Sequence, residues 1–308
     1  MKRVVVLTGG VGGAKLVLGL SRIMAGDGLT AIVNTGDDFR HLGLHISPDI
    51  DTLLYTLSGT ANGAQGWGRE GESWSFMAAL RELGGEDWFQ LGDGDLALHV
   101  ARTHALAQGR RLSQITARFA DQWGIATRIL PMSDQAVATI LDTDQGRLEF
   151  QRYFVEQRCA PAVRRIMFEG ATHAVPAPGV VEAIQSADAV LIAPSNPFLS
   201  VDPLLAVPGI GSAIEQIKAP VIAVSPLVGG TAVKGPTAKL MQELGMAVDN
   251  DSIAWHYAGL IDAILIDNGD RCDAPDVVVG RCATLMTTLD DKIRVAQAAL
   301  DLAISFRS

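Results

Sequence analysis

An apolar, β-branched run, Arg3-Val-Val-Val-Leu-Thr8, passes without a break into Gly9-Gly10-Val11-Gly12-Gly13-Ala14-Lys15. Leu16, Leu18, Leu20 and Ile23 then recur along a helix-forming segment. Strand, tight turn and helix in that order are the opening unit of an α/β fold, and we read a Rossmann-like, doubly wound, mainly parallel sheet. Glycines at such a turn let backbone N–H groups approach phosphate oxygens, and a helix N-terminus adds about half a positive charge there. The loop lacks the Gly-Lys-Ser/Thr ending of a P-loop. Two readings stand: a nucleotide phosphate cradle at Gly10, Val11, Gly12 and Gly13, or a turn that only lets strand and helix pack closely. Lys15 either reaches a phosphate or is solvated.

Four aspartates follow closely. Thr30-Ala-Ile-Val33 reads as a second strand delivering Asn34 and the Asp37-Asp38 pair to its carboxyl end, the edge at which open α/β sheets bind ligands. Asp49 and Asp51 lie just beyond, in Ser47-Pro-Asp49-Ile-Asp51. A ribose hydroxyl needs one acid, so four exceed a dinucleotide site. Asp49 is read either as the N-cap of a helix after Pro48 or as a ligand contact. Asp51 is read as a metal or substrate contact, because Mg²⁺ is held by one or two carboxylates plus waters and phosphates.

Two later strands run into similar edges. Ala189-Val-Leu-Ile-Ala193 precedes Pro194-Ser195-Asn196-Pro197, and Val221-Ile-Ala-Val224 precedes Ser225-Pro-Leu-Val-Gly229-Gly230. Their hydroxyl, amide and backbone donors suit a nucleotide, although Ser195 or Asn196 alone is equally a helix cap. Lys234 lies near a following helix start and is a further phosphate or carboxylate partner. Between residues 63 and 128 strand-like runs are scarce and helix formers abound. The expected organisation is a core of residues 1–62 and 129–308, with a mainly helical insert, 63–128, covering the cleft. Phe119 and Trp123 fall at helical spacing and are expected in the core. Arg128-Ile-Leu130 and Arg147-Leu-Glu-Phe150 read as returning strands.

A net charge of −9 with no basic run argues against nucleic acid. Cys159, Cys272 and Cys282 have no metal or disulfide spacing. The chain opens on its first strand, and no apolar run reaches the roughly 18 residues of a span, so neither a signal peptide nor a membrane anchor is expected and the reading is cytoplasmic. The six histidines form no hydride-transfer constellation, which disfavours a nicotinamide oxidoreductase.

The glycine loop, Asn34-Thr-Gly-Asp37-Asp38, Ser47-Pro-Asp49-Ile-Asp51, Leu130-Pro-Met-Ser133-Asp134, Pro194-Ser-Asn-Pro-Phe198 and Ser225-Pro-Leu-Val-Gly229 together resemble, in order and over nearly the whole chain, the 2-phospho-L-lactate transferase family of deazaflavin coenzyme biosynthesis. The resemblance implies transfer of a phospho-three-carbon-acid group, phospholactyl, phosphoenolpyruvyl or phosphoglyceryl, from a guanosine diphosphate-linked donor to the deazaflavin Fo. GMP leaves, the product is the glutamate-free form of coenzyme F-420, Mg²⁺ assists, and the assembly is a homodimer. By the family pattern Asp51 sits on the metal and near the Fo hydroxyl, with Asp37 or Asp38 as the second carboxylate. The nucleotide would lie along Gly10 to Gly13, ringed by Ser195, Asn196 and the Ser225–Gly230 loop, with Lys15, Asn34, Asp49, Ser133, Asp134, Gly229 and Lys234 as further binding positions. One departure stands out. Gln90-Leu-Gly92-Asp93-Gly94-Asp95 has neutral residues at two positions that are basic in the family, so either the donor's acid differs or Arg69, Arg102 or Lys234 supplies the charge; Gln90 remains able to hydrogen-bond the deazaflavin. A non-catalytic nucleotide-sugar-binding regulator of similar fold is the competing reading.

Overall fold

The computed structural model describes residues 1–63, 65–233 and 235–306. The first β-branched run forms strand β1 (Val4–Thr8), buried at all five positions as a parallel strand covered on both faces must be. The sheet has seven strands: β1, β2 (Leu29–Val33), β3 (Arg128–Pro131), β4 (Ala189–Ile192), β5 (Val221–Val224), β6 (Ala263–Asp267) and β7 (Val278–Cys282). In space they run β7-β6-β5-β4-β1-β2-β3, and every neighbouring pair is parallel. The direction of winding reverses between β1 and β4, which opens a crevice outside their carboxyl ends.

Side-chain alternation along β1 divides the interior. Val4 and Val6 join helix α1 (Gly10–Ile23), helix α2 (Pro48–Ser58) and the C-terminal helix Leu289–Ser305 in one core. Val5 and Leu7 face the other, with Phe198, Leu199 and Leu204. The C-terminal helix lies on the sheet and on α1 so closely that a β-carbon on Gly19 would fall 2.1 Å from the Lys292 carbonyl oxygen.

Residues 63–128 contain helices α3 (Ser75–Glu82), α4 (Asp93–Ala107) and α5 (Leu112–Gln122). Leu98, Leu112, Ile115 and Phe119 from this stretch enter the α1 core, while Met77 and Leu91 close a small separate cluster with Ile46. Trp123 departs from the expectation of a core residue. The helix ends at Gln122, and Trp123 is 37% exposed with its ring tilted over Tyr55 at 5.7 Å. The expected strand at Arg147 exists as Gly146–Glu149, but in a separate three-stranded antiparallel sheet with Ala138–Thr143 and Val163–Glu169. The three cysteines are free thiols. Among the described residues no single helix is long and apolar enough to cross a membrane.

Candidate active site

The glycine loop is shaped first by close approach. A β-carbon on Gly12 would lie 2.4 Å from the Pro194 carbonyl oxygen, and one on Gly13 would lie 2.1 Å from Thr8 Oγ1. Gly10 has φ +62° with open space around it, so its glycine serves backbone conformation rather than packing. The two edges of the crevice are tied together there. Ser195 Oγ donates to the Gly9 carbonyl at 2.7 Å, and the Gly10 N–H donates to Asp49 Oδ1 at 2.7 Å.

Asp49 is therefore not an N-cap. Ser47 occupies that position, Pro48 opens α2, and Asp49 in the first turn reaches back to the glycine loop. Asn34 completes the tie, donating from Nδ2 to Asp49 Oδ2 at 3.0 Å and to the Leu199 carbonyl at 3.2 Å. Burial, opposed by those donors, pushes the Asp49 carboxyl up to about 6. Because this raised group holds its proton more tightly folded than unfolded, its contribution to stability is present below about pH 4 and lost as pH rises through about 6. With a chelator present, the urea midpoint of the native chain is expected to fall against that of Asp49→Asn across this window, by an amount equivalent to about 2–3 kcal/mol. A constant difference between the two would refute the assignment.

These groups open into a cavity of about 640 Å³ at the sheet's switch point. Of the positions singled out in the sequence, Gly10, Val11, Gly12, Lys15, Asp37, Asp49, Asp51, Gln90, Ser195, Asn196 and Ser225 line it. Asp37 is buried, its Oδ1 has no hydrogen-bond partner, and burial and the Asp49 charge hold its carboxyl well above the usual range. Lys15 donates to the Met286 carbonyl at 2.6 Å. Asn196 also caps its own turn, accepting from the Phe198 and Leu199 N–H groups, so the turn-chemistry reading holds for its Oδ1. The Gln90 amide donates to the Asp87 carbonyl and accepts from Arg81, which engages both of its ends outside the cavity.

Six expected positions stand back from the cavity lining. Gly13 is enclosed by Thr8 and Ser195, and Asn34 by Asp49 and Leu199. Asp38 accepts from Ser47 Oγ at 2.7 Å and stands 3.0 Å from His45 Nε2, which fixes the start of α2. Ser133 and Asp134 follow β3, an edge strand one removed from β1, and their oxygens are taken locally: Ser133 Oγ donates to the Val175 carbonyl, and Asp134 accepts from Ser113 N–H and Oγ. Gly229 turns a hairpin at φ +62° behind Val228, which does line the cavity. Lys234 lies outside the described residues.

The sequence reading missed the polar network behind Asp51. Arg102 is fully buried and grips both carboxylate oxygens of Asp51, Nη1 at 3.1 Å from Oδ2 and Nη2 on Oδ1. Burial pushes the Asp51 carboxyl up, and the Arg102 charge opposes it. His99 stands with Nδ1 3.4 Å from Arg102 Nη1 and Nε2 3.2 Å from Asp95 Oδ2. Tyr55 donates to Asp95 Oδ1. Burial works to raise Asp95, yet His99 and Tyr55 hold its carboxyl below the ordinary range, while burial beside Asp51 and Asp95 keeps the Tyr55 hydroxyl protonated. A signal was present: Asp95, His99 and Arg102 repeat at helical spacing on α4, and Asp51 and Tyr55 on α2.

Among the described residues no group of three or more His, Cys, Asp or Glu side chains is arranged to hold a metal ion. Magnesium asks for less, and the unpartnered Asp37 oxygen beside Asp49 is a hard donor set of the kind it takes.

The profile of the 2-phospho-L-lactate transferase CofD family matches residues 4–279. A phosphoenolpyruvate transferase from Kitasatospora aureofaciens is 40% identical, over 99% of each chain. One from Mycolicibacterium smegmatis is 37% identical over 98% of each. Among solved structures, a UPF0052 family protein from Bacillus halodurans superposes with a TM-score of 0.64 over 97% of this chain and 100% of its own, at 20% identity.

Proposed function

The chain belongs to the 2-phospho-L-lactate transferase CofD family and is a transferase, and from that premise we propose that it moves a phosphoenolpyruvyl group from a guanosine diphosphate-linked donor to the deazaflavin Fo, releasing GMP. One observation carries the reading: the glycine loop at the start of α1 and a set of buried carboxylates, Asp37, Asp49 and Asp51, face the same cavity at the switch point. The choice of enolpyruvate among the three-carbon acids follows the full-length relatives, which are named phosphoenolpyruvate transferases.

In this transfer the terminal hydroxyl of Fo forms a new O–P bond, the bond from that phosphorus to GMP breaks, and GMP keeps the electron pair. The hydroxyl proton passes to a cavity carboxylate. The N-terminus of α1, through loop N–H groups beyond Gly10, whose own is given to Asp49, would receive the diphosphate and neutralise part of its charge. Asp51, held against Arg102, is the acid we assign to the attacking hydroxyl. Asp37 and Asp49 would hold Mg²⁺, which when bound supplies charge neutralisation at the phosphate oxygens. The apolar wall, with Trp67, Phe89, Phe150 and Phe154, suits an aromatic ring system.

The test is an assay of the purified protein with Fo and Mg²⁺, offering enolpyruvyl, lactyl and glyceryl donors side by side with mass detection of product. Turnover is expected with the enolpyruvyl donor. Preference for another acid would overturn that part, and no product with any donor, alongside tight nucleotide binding, would point to a non-catalytic regulator.

A further inference from the structure

We propose that the side-chain amide of Gln151 reads the lactam edge of a planar heterocycle in the cavity, a ring N–H beside a ring C=O. The inference rests on the transfer reading above, in which the donor's guanine and the deazaflavin both carry that edge. Gln151 lines the cavity and is 6% exposed. Among the described residues its amide makes no hydrogen bond, yet neither polar atom is sealed from open space. On a residue so buried, that space is the cavity's. The other amides on the wall are engaged elsewhere. Gln90 and Asn196 are bonded at both ends within the protein, and the exposed Gln65 accepts from Asn62. An amide withdrawn from bulk water is matched by a partner of fitting geometry, and here the protein leaves that place to a ligand.

The backbone around Gln151 is held from two sides. It follows the strand Gly146–Glu149 and opens a π-helical turn, Arg152–Glu156. Arg152 sets its guanidinium 4.3 Å from the Trp88 ring centroid and 3.3 Å from Glu86, which ties the turn to the helical insert. Lys239, on the helix Thr237–Glu243, donates to the Tyr153 hydroxyl at 3.3 Å. Phe150 and Phe154, on either side of Gln151 in the chain, stack at 5.3 Å with 21° between their planes, and both line the cavity. Aromatic faces with a fixed amide among them are the wall that takes a flat ring by its plane and its polar edge together.

The pairing is bidentate: Nε2 donates to the ring carbonyl while Oε1 accepts the ring N–H. The two heterocycles differ one atom further along that edge. Guanine continues with an exocyclic amine, so it offers two adjacent donors, whereas the dione ring of a deazaflavin continues with a second carbonyl. A carboxylate at position 151 therefore suits guanine and opposes the dione.

The test titrates GDP and Fo separately into native protein, Gln151→Met and Gln151→Glu by calorimetry. Methionine keeps the length and volume of the side chain and removes both hydrogen bonds. In Gln151→Met one of the two affinities is expected to fall about 10- to 100-fold while the other holds, and the thermal midpoint of the free protein should not drop, since the amide holds nothing else in place. Gln151→Glu then names the ring. Near-native GDP affinity assigns the edge to guanine, and a loss of Fo affinity deeper than that of Gln151→Met assigns it to the deazaflavin. Unchanged affinities for both, an equal loss of both, or a lowered thermal midpoint in Gln151→Met would each overturn the proposal. Should the native enzyme bind GDP and Fo but turn over no donor, the transfer reading alone fails and the same titrations still decide the role of Gln151; should it bind neither, both fail.

Discussion

Arg102→Met is expected to destabilise the protein by about 3–5 kcal/mol, read from urea unfolding, and to abolish transfer. The guanidinium is fully buried and pairs with both oxygens of Asp51, so its removal strands a carboxylate in the interior beside His99 and the like charge of Asp95. Methionine keeps most of the volume, which confines the effect to charge. The companion variant Asp51→Leu/Arg102→Met removes both charges together and should regain much of the stability while remaining inactive. A double variant as unstable as the single one would show that shape, not the unpaired charge, causes the loss. The same pair directs both Asp51 oxygens into a cationic fork, whereas Asp37 Oδ1 has no hydrogen-bond partner among the described residues.

Gly12→Ala has the next largest expected effect, a fall of about 100-fold in kcat/KM. The added methyl group meets a backbone oxygen, that of Pro194, and neither partner is a flexible side-chain tip that can swing away. The β1 and β4 edges must part, and a displacement near 1 Å at a phosphate cradle is enough to misplace the reacting phosphorus. Gly10→Ala is the informative control. It meets nothing, and its cost is the left-handed φ, about 1–2 kcal/mol of stability. Equal activity in Gly12→Ala and the native enzyme would mean that the loop is not the phosphate site.

The parts of this molecule that were readable in the chain are those whose signal is local. The strands β1, β2, β4 and β5 are short β-branched runs with turn residues behind them, and their edge loops announce themselves as Gly, Ser and Asn. The acids at Asp37, Asp49 and Asp51 are conspicuous because they crowd into one stretch. Arg102 and His99 are equally central but lie about fifty positions downstream, and only the packing of α4 across the hairpin Phe39–His41/Leu44–Ile46 brings them to Asp51. Ser133 and Asp134 stand away from the cavity for the opposite reason. They follow a sheet strand as the cavity-lining edge residues do, but strand order, which decides distance from the switch point, is not written locally. Trp123 shows the limit of periodicity: the helix stops one residue short of it, and its ring is turned to Tyr55 at the surface.

Gly9 to Gly12 and Thr284, Leu285 and Met286 line the same cavity, and Lys15 is bonded to the Met286 carbonyl. During synthesis, then, a growing chain carries its glycine loop well before residues 284–286 leave the ribosome, and the pocket is unfinished until they do. At roughly 5–20 residues per second the nascent protein spends tens of seconds as an inert precursor. The earliest moment of ligand binding is set by translation of the C-terminal segment rather than by the folding of the N-terminal half.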